Sequence, residues 1–597
     1  MPTSLPHWDM SVVFPGLDSP EYQQAVELVK QSISAMQQVF DQMNIQRLDA
    51  EPPLADTTAN TDTLLPLVNA TIEALSVLNA YTSAFVSVDS RDTLAQSKMS
   101  ELQKINLSWS LLMTRFHAWV GSLDVEALIT NSESAAKHAY MLRLAKENAQ
   151  HIMPPQEEVL AEELTLTGAS AWSKLYMVVS SQLMANITID GKTQSLPMSV
   201  IRNLAYSQNG EERKAAYEAE LAGWKTVAPV LAAALNSIKG EVNTLTNHRG
   251  WSTALESSIA QAHIDQEIFT VMMSAAKDSF PDFRRYLQAK AAYLGKESLP
   301  WYDLFAPVGQ SSREWKFEES EAFIIEQFTA YSPKMGDFAA RAFREHWIDA
   351  EPRAGKRDGA FCMRLRRDES RILANYKESY SGMKTLAHEL GHGYHNLNLA
   401  DKTPLQKLTP MTLAETASIF CETLVKEGAL RTATRDEQIE ILQESLQSAA
   451  QQIVDITSRF LFEQAVFQGR LARDLTVDEL NEAMLAAQRE TYGSGLDDRY
   501  LHPYMWAAKN HYYSGSRSYY NFPYMFGLLF GTGIYAAFKD DPALFRKNYD
   551  ALLASTGMGD AAELASRFGV DLRSYAFWQS SLDVIRGDIQ TFISLIG

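Results

Sequence analysis

The sequence predicts a mainly α-helical protein, a large multi-helix body with a few short strands, and three observations carry that reading. First, long stretches rich in Ala, Leu, Gln and Glu repeat apolar residues at three- and four-residue spacing, as in Gln438 to Gly469, where Ile441, Leu442, Leu446, Ala449 and Ile453 recur on one side. Second, alternating segments are scarce. Ile187 to Thr193 alternates around Asp190-Gly191 and predicts a hairpin, and Gly359 to Arg364 predicts part of a second short strand pair. Third, the breaks are few, at Leu48–Asp62, at the polar stretch Thr188–Pro197 and at Ala350–Asp358, each rich in turn-forming or polar residues. No internal repeat or low-complexity tract occurs. A boundary near residue 195–205 is expected, with a helical region over 1–200 and the chemistry carried by 201–597.

Composition narrows the function classes. With 597 residues, 46% of them hydrophobic, the chain has material for a large core, and disorder is excluded. A formal net charge of -19 repels a phosphate backbone or an anionic bilayer, so nucleic acid and membrane surfaces are not expected partners. Met1 to Pro20 has no basic start followed by an apolar segment, and the apolar run Phe526 to Phe538 is too short and glycine-interrupted to span a bilayer. Only Cys362 and Cys421 occur, outside any CxxC pair. That suits reduced thiols in a cytoplasmic protein.

The chemistry centres on His388-Glu389-Leu390-Gly391-His392. Residues four apart lie one helical turn apart, so His388 and His392 can present two imidazole nitrogens to one Zn²⁺. Glu389, one residue step round, is placed to reach a water on the open side of the ion and is the candidate general base. The alternative is three polar residues on a surface helix. The apolar and small neighbours Leu386, Ala387, Leu390 and Gly391 argue instead for a buried helix, where neutral imidazoles need partners. A catalytic zinc takes a third protein ligand and keeps one position open. Pro404 and Pro410 end the first helix, and a second, Thr412 to Glu422, is expected to present Glu415, Ser418 and Glu422 on one face. Spacing alone leaves Glu415 either as the third ligand or as the glutamate of a Thr412-x-x-Glu415 capping box. Glu422 is positioned to accept the remaining N–H of a ligating histidine. His395 reads as a hydrogen-bonded core histidine.

These residues resemble the M3 family of metallopeptidases, the thimet oligopeptidase and oligoendopeptidase F group, and most closely the oligoendopeptidase F branch. The likeness is strongest over Gly355 to Cys362, Thr385 to His395 and Ala414 to Ser418, with weaker echoes at Trp8-Asp9, Phe14-Pro15-Gly16 and Glu212 to Tyr217. It implies one Zn²⁺ per chain held by His388, His392 and Glu415, and a helical body with a deep channel that admits short peptides. It also directs attention to His502 to Trp506 and to His511 through Tyr524. His511, Tyr520 and Tyr524 are the candidates to donate to a tetrahedral oxyanion, while Tyr512, Tyr513 and Tyr519 read as aromatic core.

The expected activity is therefore hydrolysis of internal bonds in short peptides. Two rivals remain in view. An exopeptidase on the same scaffold would need an anchor for a free terminus, and Gly359 to Met363 offers no carboxylate for a substrate amine. A helical binding protein with a structural zinc would close the shell with four protein ligands, often cysteine, and the nearest one, Cys421, lies on a different helical face from Glu415.

Overall fold

A computed structural model describes residues 5–50, 52–309 and 313–597. The first four residues of the opening segment, and Glu51 within the break at Leu48–Asp62, lie outside the described residues. Helices dominate, and the described strands are β1 (Met184–Ile189), β2 (Lys192–Pro197), β3 (Ile348–Asp349), β4 (Phe361–Arg366) and β5 (Glu369–Leu373). By compactness the chain forms two units of three segments each. One comprises residues 1–151, 313–429 and 537–570, the other residues 152–312, 430–536 and 571–597.

In the first unit, helices Pro20–Gln42, Leu54–Val88 and Thr93–Gly121 share one apolar core that includes Tyr22, Phe40, Leu64, Leu78, Leu112 and Phe116. The Leu54–Val88 helix begins directly behind Pro53, so the second half of the break expected at Leu48–Asp62 is helical. Proline there fixes an extended entry and asks for no amide bond, whereas the sequence reading took the proline pair as the sign of a longer loop. This helix is long and apolar enough, by length and composition, to cross a membrane. Its buried residues pack into the core just described.

The small sheet of this unit has the order β3-β5-β4, with β3 parallel and β4 antiparallel to β5. β4 is therefore an edge strand, paired on one side only among the described residues. The opening segment is tied to this sheet. The fully buried Arg371 of β5 donates twice to the Asp9 carbonyl, at 3.1 and 2.9 Å, and the Ala350 amide donates to the Pro6 carbonyl. The loop expected at Ala350–Asp358 is present between β3 and β4.

The second unit is organised along the 39-residue helix Gly210–His248. The expected hairpin is formed by β1 and β2, with Thr188 paired to Thr193. Asp190 and Gly191 both take positive φ, 50° and 73°, as a two-residue turn matched to strand twist requires. The helical stretch read at Gln438–Gly469 is a helix Arg435–Ala450, a π-helical turn Gln451–Asp455 and a helix Ile456–Arg470. From the last of these Glu463 reaches Lys239 at 2.6 Å, with Lys239 fully buried and Glu463 2% exposed. The weak resemblance at Glu212 to Tyr217 has a structural basis too. Arg213 pairs with the buried Asp303 at 2.8 Å, and the Tyr217 hydroxyl donates to the Leu501 carbonyl.

The Lys239–Glu463 pair yields a stability prediction. Glu463→Leu strands a buried ammonium and is expected to cost about 3–5 kcal/mol, whereas adding Lys239→Met removes the stranded charge and recovers most of that loss. Urea unfolding of the single and double variants measures both, and a single variant as stable as the wild type would contradict the pairing.

Candidate metal centre

The motif lies on helix Tyr380–Asn398, started by Ser379, whose hydroxyl accepts from the Gly382 amide at 3.2 Å. Met383, Leu386, Ala387, Leu390 and Tyr394 are buried, which leaves His388, Glu389 and His392 along a cleft of about 530 Å³. The ring centroids of His388 and His392 stand 4.9 Å apart. Across the cleft the expected continuous helix over Thr412–Glu422 is interrupted. Met411–Ala414 makes one turn, Glu415 sits at the junction with φ -87° and ψ 2°, and Thr416–Thr432 follows. Side chains compete for the carbonyls there: the Thr416 hydroxyl bonds to Leu413, and the Tyr549 hydroxyl to Thr416. The helix start belongs to Pro410, not Thr412, and the Glu415 carboxylate faces the histidines instead of folding back as a cap.

Glu415 Oε2 lies 3.3 Å from His388 Nε2 and 3.5 Å from His392 Nε2, and all three donor atoms fall within 4.8 Å of one another. Ligands about 2.0–2.1 Å from one tetrahedral ion stand about 3.3–3.4 Å apart, so this set of two imidazoles and a carboxylate fits a single divalent metal. Further groups hold the set in place. Ser418 donates to Glu415 Oε2 at 2.6 Å, Glu422 Oε2 stands 3.3 Å from His388 Nδ1, and Lys384, one turn before His388, pairs with Glu422 at 3.5 Å.

The electrostatics favour a cation. Burial opposes protonation of His388, yet the Glu415 and Glu422 carboxylates on either side of its ring raise its pKa; against their own burial, Glu415 is held low by His388 and His392, and Glu422 by Lys384 and then His388. Whatever draws a proton to that ring draws a metal ion. Burial takes His392 down to about 4, leaving it neutral with a lone pair. Burial lifts Glu389 to about 7, and its Oε2 is buried with no hydrogen-bond partner. His395 is the core histidine expected, bonded to the Thr556 hydroxyl at 2.8 Å. Both cysteines are free: Cys421 is buried against the Met335 sulfur, and Cys362 lines the cleft from β4.

The other predicted site residues lie in the second unit. Tyr520 and Tyr524 hydroxyls share a hydrogen bond of 2.7 Å, and the His511 ring lies 6.4 Å from that of Tyr520. Burial pushes His511 down to about 2, and its Nε2 has no partner. His502 is fully buried, with Nε2 3.5 Å from Glu220. Tyr512, Tyr513 and Tyr519 are buried aromatics, as read from sequence.

Sequence reasoning missed Lys384 and the part played by Gly391. The first was detectable as the residue four before His388. The second was not, because its reason lies in another helix. A Cβ at Gly391 would meet Ser418 Cα at 2.6 Å and the Ala417 carbonyl oxygen at 2.7 Å. That contact sets how closely Glu415 and Glu422 approach the histidines. Gly391→Ala is expected to push the two helices apart and weaken metal affinity by about 10–100-fold, the range seen when ligand support is lost. Competition with a chromophoric chelator measures it, with circular dichroism to show that helix content is kept.

The profile of Peptidase family M3 matches residues 203–584, and that of Oligopeptidase F matches residues 122–184. An oligoendopeptidase F homolog of Lactococcus lactis is 23% identical over 66% of this chain and 66% of its own length. The group B oligopeptidase PepB of Streptococcus agalactiae is 22% identical, with 68% of each chain aligned, so the chain spans about two thirds of these curated relatives. Among solved structures, a putative peptidase from Chlamydophila abortus superposes with a TM-score of 0.83 at 19% identity, covering 99% of this chain and 98% of the other. Oligoendopeptidase-F from Enterococcus faecium does so at 0.68 and 16%, covering 97% and 99%. These structures share the fold, and the profile match spans most of the sequence: the chain belongs to peptidase family M3, a family of metallopeptidases, in its oligoendopeptidase F branch.

Proposed function

We propose that this protein is a zinc-dependent endopeptidase of short peptides, with the ion held by His388, His392 and Glu415 and with Glu389 as general base. The observation that carries the reading is the donor set spaced 3.3 to 3.5 Å about Glu415 Oε2 beside the unpartnered, buried Glu389 Oε2. Zn²⁺ in such a site supplies Lewis-acid chemistry, acidifying a water and polarising a carbonyl oxygen. Glu389 takes the proton of the attacking water and passes it to the departing amine. A carboxylate with one oxygen free of other donors is suited to both transfers. Glu422 and Ser418 fix the orientation of His388 and Glu415. Phe361 and Cys362 of β4 line the same cleft, and the free edge of that strand offers main-chain groups to an extended peptide without regard to its side chains. The family resemblance supports His511, Tyr520 and Tyr524 as donors to the oxyanion.

Residues 201–597 carry the chemistry in this reading, which the profile match from residue 203 supports. The location is taken as cytoplasmic and the partners as peptides, since a net charge of -19 disfavours polyanions. The curated relatives named as oligopeptidases support the substrate class.

Glu389→Gln is expected to keep its zinc by elemental analysis while kcat falls by about 10²–10⁴-fold, the range of a general base. Turnover near the wild-type rate would reject the assignment. His388→Ala is expected to lose the metal itself. Tyr520→Phe is expected to lower kcat by about 10²-fold with KM little changed, as for a donor used only in the transition state. A quenched fluorescent peptide blocked at both ends separates this reading from an exopeptidase, which would leave it intact, and a chelator should abolish its cleavage.

A further inference from the structure

The metal cleft contains two cations that the chemistry above does not use. Arg364 lies on β4 two residues beyond Cys362, on the same face of the strand, and Lys407 ends the short turn Pro404–Lys407. Both line the cleft together with His388, Glu389, His392 and Glu415. The Arg364 guanidinium has one acceptor, Asn396 Oδ1 at 3.3 Å, and its Nε is buried with no partner. Lys407 is 8% exposed. Neither forms an ion pair within 4.0 Å among the described residues. Burial weakens the protonation of both, and Glu73 is the acid whose field acts on both from beyond ion-pair distance.

Two like charges gathered at a desolvated wall, without a matching anion, raise the free energy of the empty cleft. A bound anion offsets that. A peptide in this cleft has one kind of anion to offer, a carboxylate, and an arginine fork is suited to hold its two oxygens. Position says where along the peptide it falls. Cys362 adjoins Glu389, and two residues of strand advance about 6.6 Å, so a peptide laid along β4 with its reacting carbonyl at Glu389 brings a group about two residues away to Arg364. We propose that Arg364 and Lys407 form a carboxylate subsite of the peptidase cleft, which selects substrates bearing a carboxylate about two residues from the cleaved bond. The carboxylate is either a free C-terminus or an Asp or Glu side chain. Glu73 is the internal competitor that such a ligand displaces electrostatically.

This inference rests on the peptidase reading, and its test separates the two. Peptides of one sequence are compared in pairs: a C-terminal acid against the amide, with the end two residues past the cleaved bond, and Glu against Gln two positions to either side. In wild-type zinc enzyme, one acidic member is expected to exceed its neutral partner about tenfold in kcat/KM, mostly through KM, as a charge-assisted fork contact gives. Arg364→Gln and Lys407→Met should each bring that ratio towards one, and Arg364→Lys should restore part of it. The ratio, not the absolute rate, is the readout. Equal rates for every pair in the wild type overturn the proposal, as does a preference that survives both substitutions. Calorimetry with the product peptides, acid against amide, reads the same preference without turnover. If no peptide is cut, the endopeptidase reading fails, while the subsite still stands or falls on that difference in binding. Should Arg364→Gln not fold, Lys407→Met carries the comparison alone.

Discussion

The close crossing of helices Tyr380–Asn398 and Thr416–Thr432 at Gly391 is the constraint on which the site depends. At that point the backbone of one helix occupies the space a side chain of the other would need, with Ser418 Cα and the Ala417 carbonyl at the limit of contact. Only this approach lets Glu415 face two imidazoles from the far wall while Glu422, two turns later, reaches the rear nitrogen of His388. The chain adds smaller devices at the same joint. Ser418 bonds to both the carbonyl and the carboxylate of Glu415, and Tyr549 holds the carbonyl of Thr416. A second close glycine contact, Gly393 against the Phe338 ring, lies on the motif helix two residues further on. Position is thus set by packed backbone, which does not relax as a long side chain does.

What the sequence disclosed follows from what is local. His388 and His392 share a face because of helical pitch, and Asp190-Gly191 turns a hairpin because few residue pairs accept positive φ at both centres. Both are properties of a few neighbouring residues. Glu415 was legible only as an ambiguity, since a glutamate three residues after a threonine satisfies a capping box as well as a ligand, and the deciding contacts come from residues 27 and 23 positions earlier. The junction at Glu415 escaped notice because side chains from Thr416 and Tyr549 impose it. The helix start at Leu54 escaped for the opposite reason: a local proline signal has two structural meanings, and the core packing of Leu64 and Leu65 selects one. Compact units drawn from three segments each leave no single composition shift in the chain to mark them.

In the second unit, aromatic content alone does not separate enclosed from accessible tyrosines. From Tyr504 to Tyr524 the chain places six tyrosines, and hydrophobic patterning treats them alike. Burial divides them: Tyr512, Tyr513 and Tyr519 are enclosed, whereas Tyr520 and Tyr524 keep partial exposure and share their hydroxyls. The π-helical turn Gln451–Asp455 contributes to this order. Arg459, just after it, pairs with Asp455 and donates to Asn521 Oδ1 at 3.0 Å, bracing the residue next to Tyr520. A π-turn in a long helix shifts the facing of everything beyond it by a fraction of a turn, and such insertions persist where a side chain must be aimed.

Charge distribution connects the fold to selectivity. Acids outnumber bases 73 to 54, so at long range the molecule repels anionic ligands and draws in neutral or cationic ones. Several buried cations elsewhere face a carboxylate at ion-pair distance, as in Lys239–Glu463, Arg213–Asp303 and Lys356–Asp349. An unpaired charge away from water is costly, which makes the lack of an ion pair at both Arg364 and Lys407 in one cleft informative. Screening confines that repulsion to within about 8–10 Å of the surface at physiological salt, while a desolvated wall acts at contact. A carboxylate that reaches the cleft on a peptide therefore meets a local field opposite in sign to that of the whole protein. Selection by such a field acts on residence in the cleft more than on encounter, which is why its effect belongs in KM and in the comparison of matched peptides rather than in the salt dependence of association.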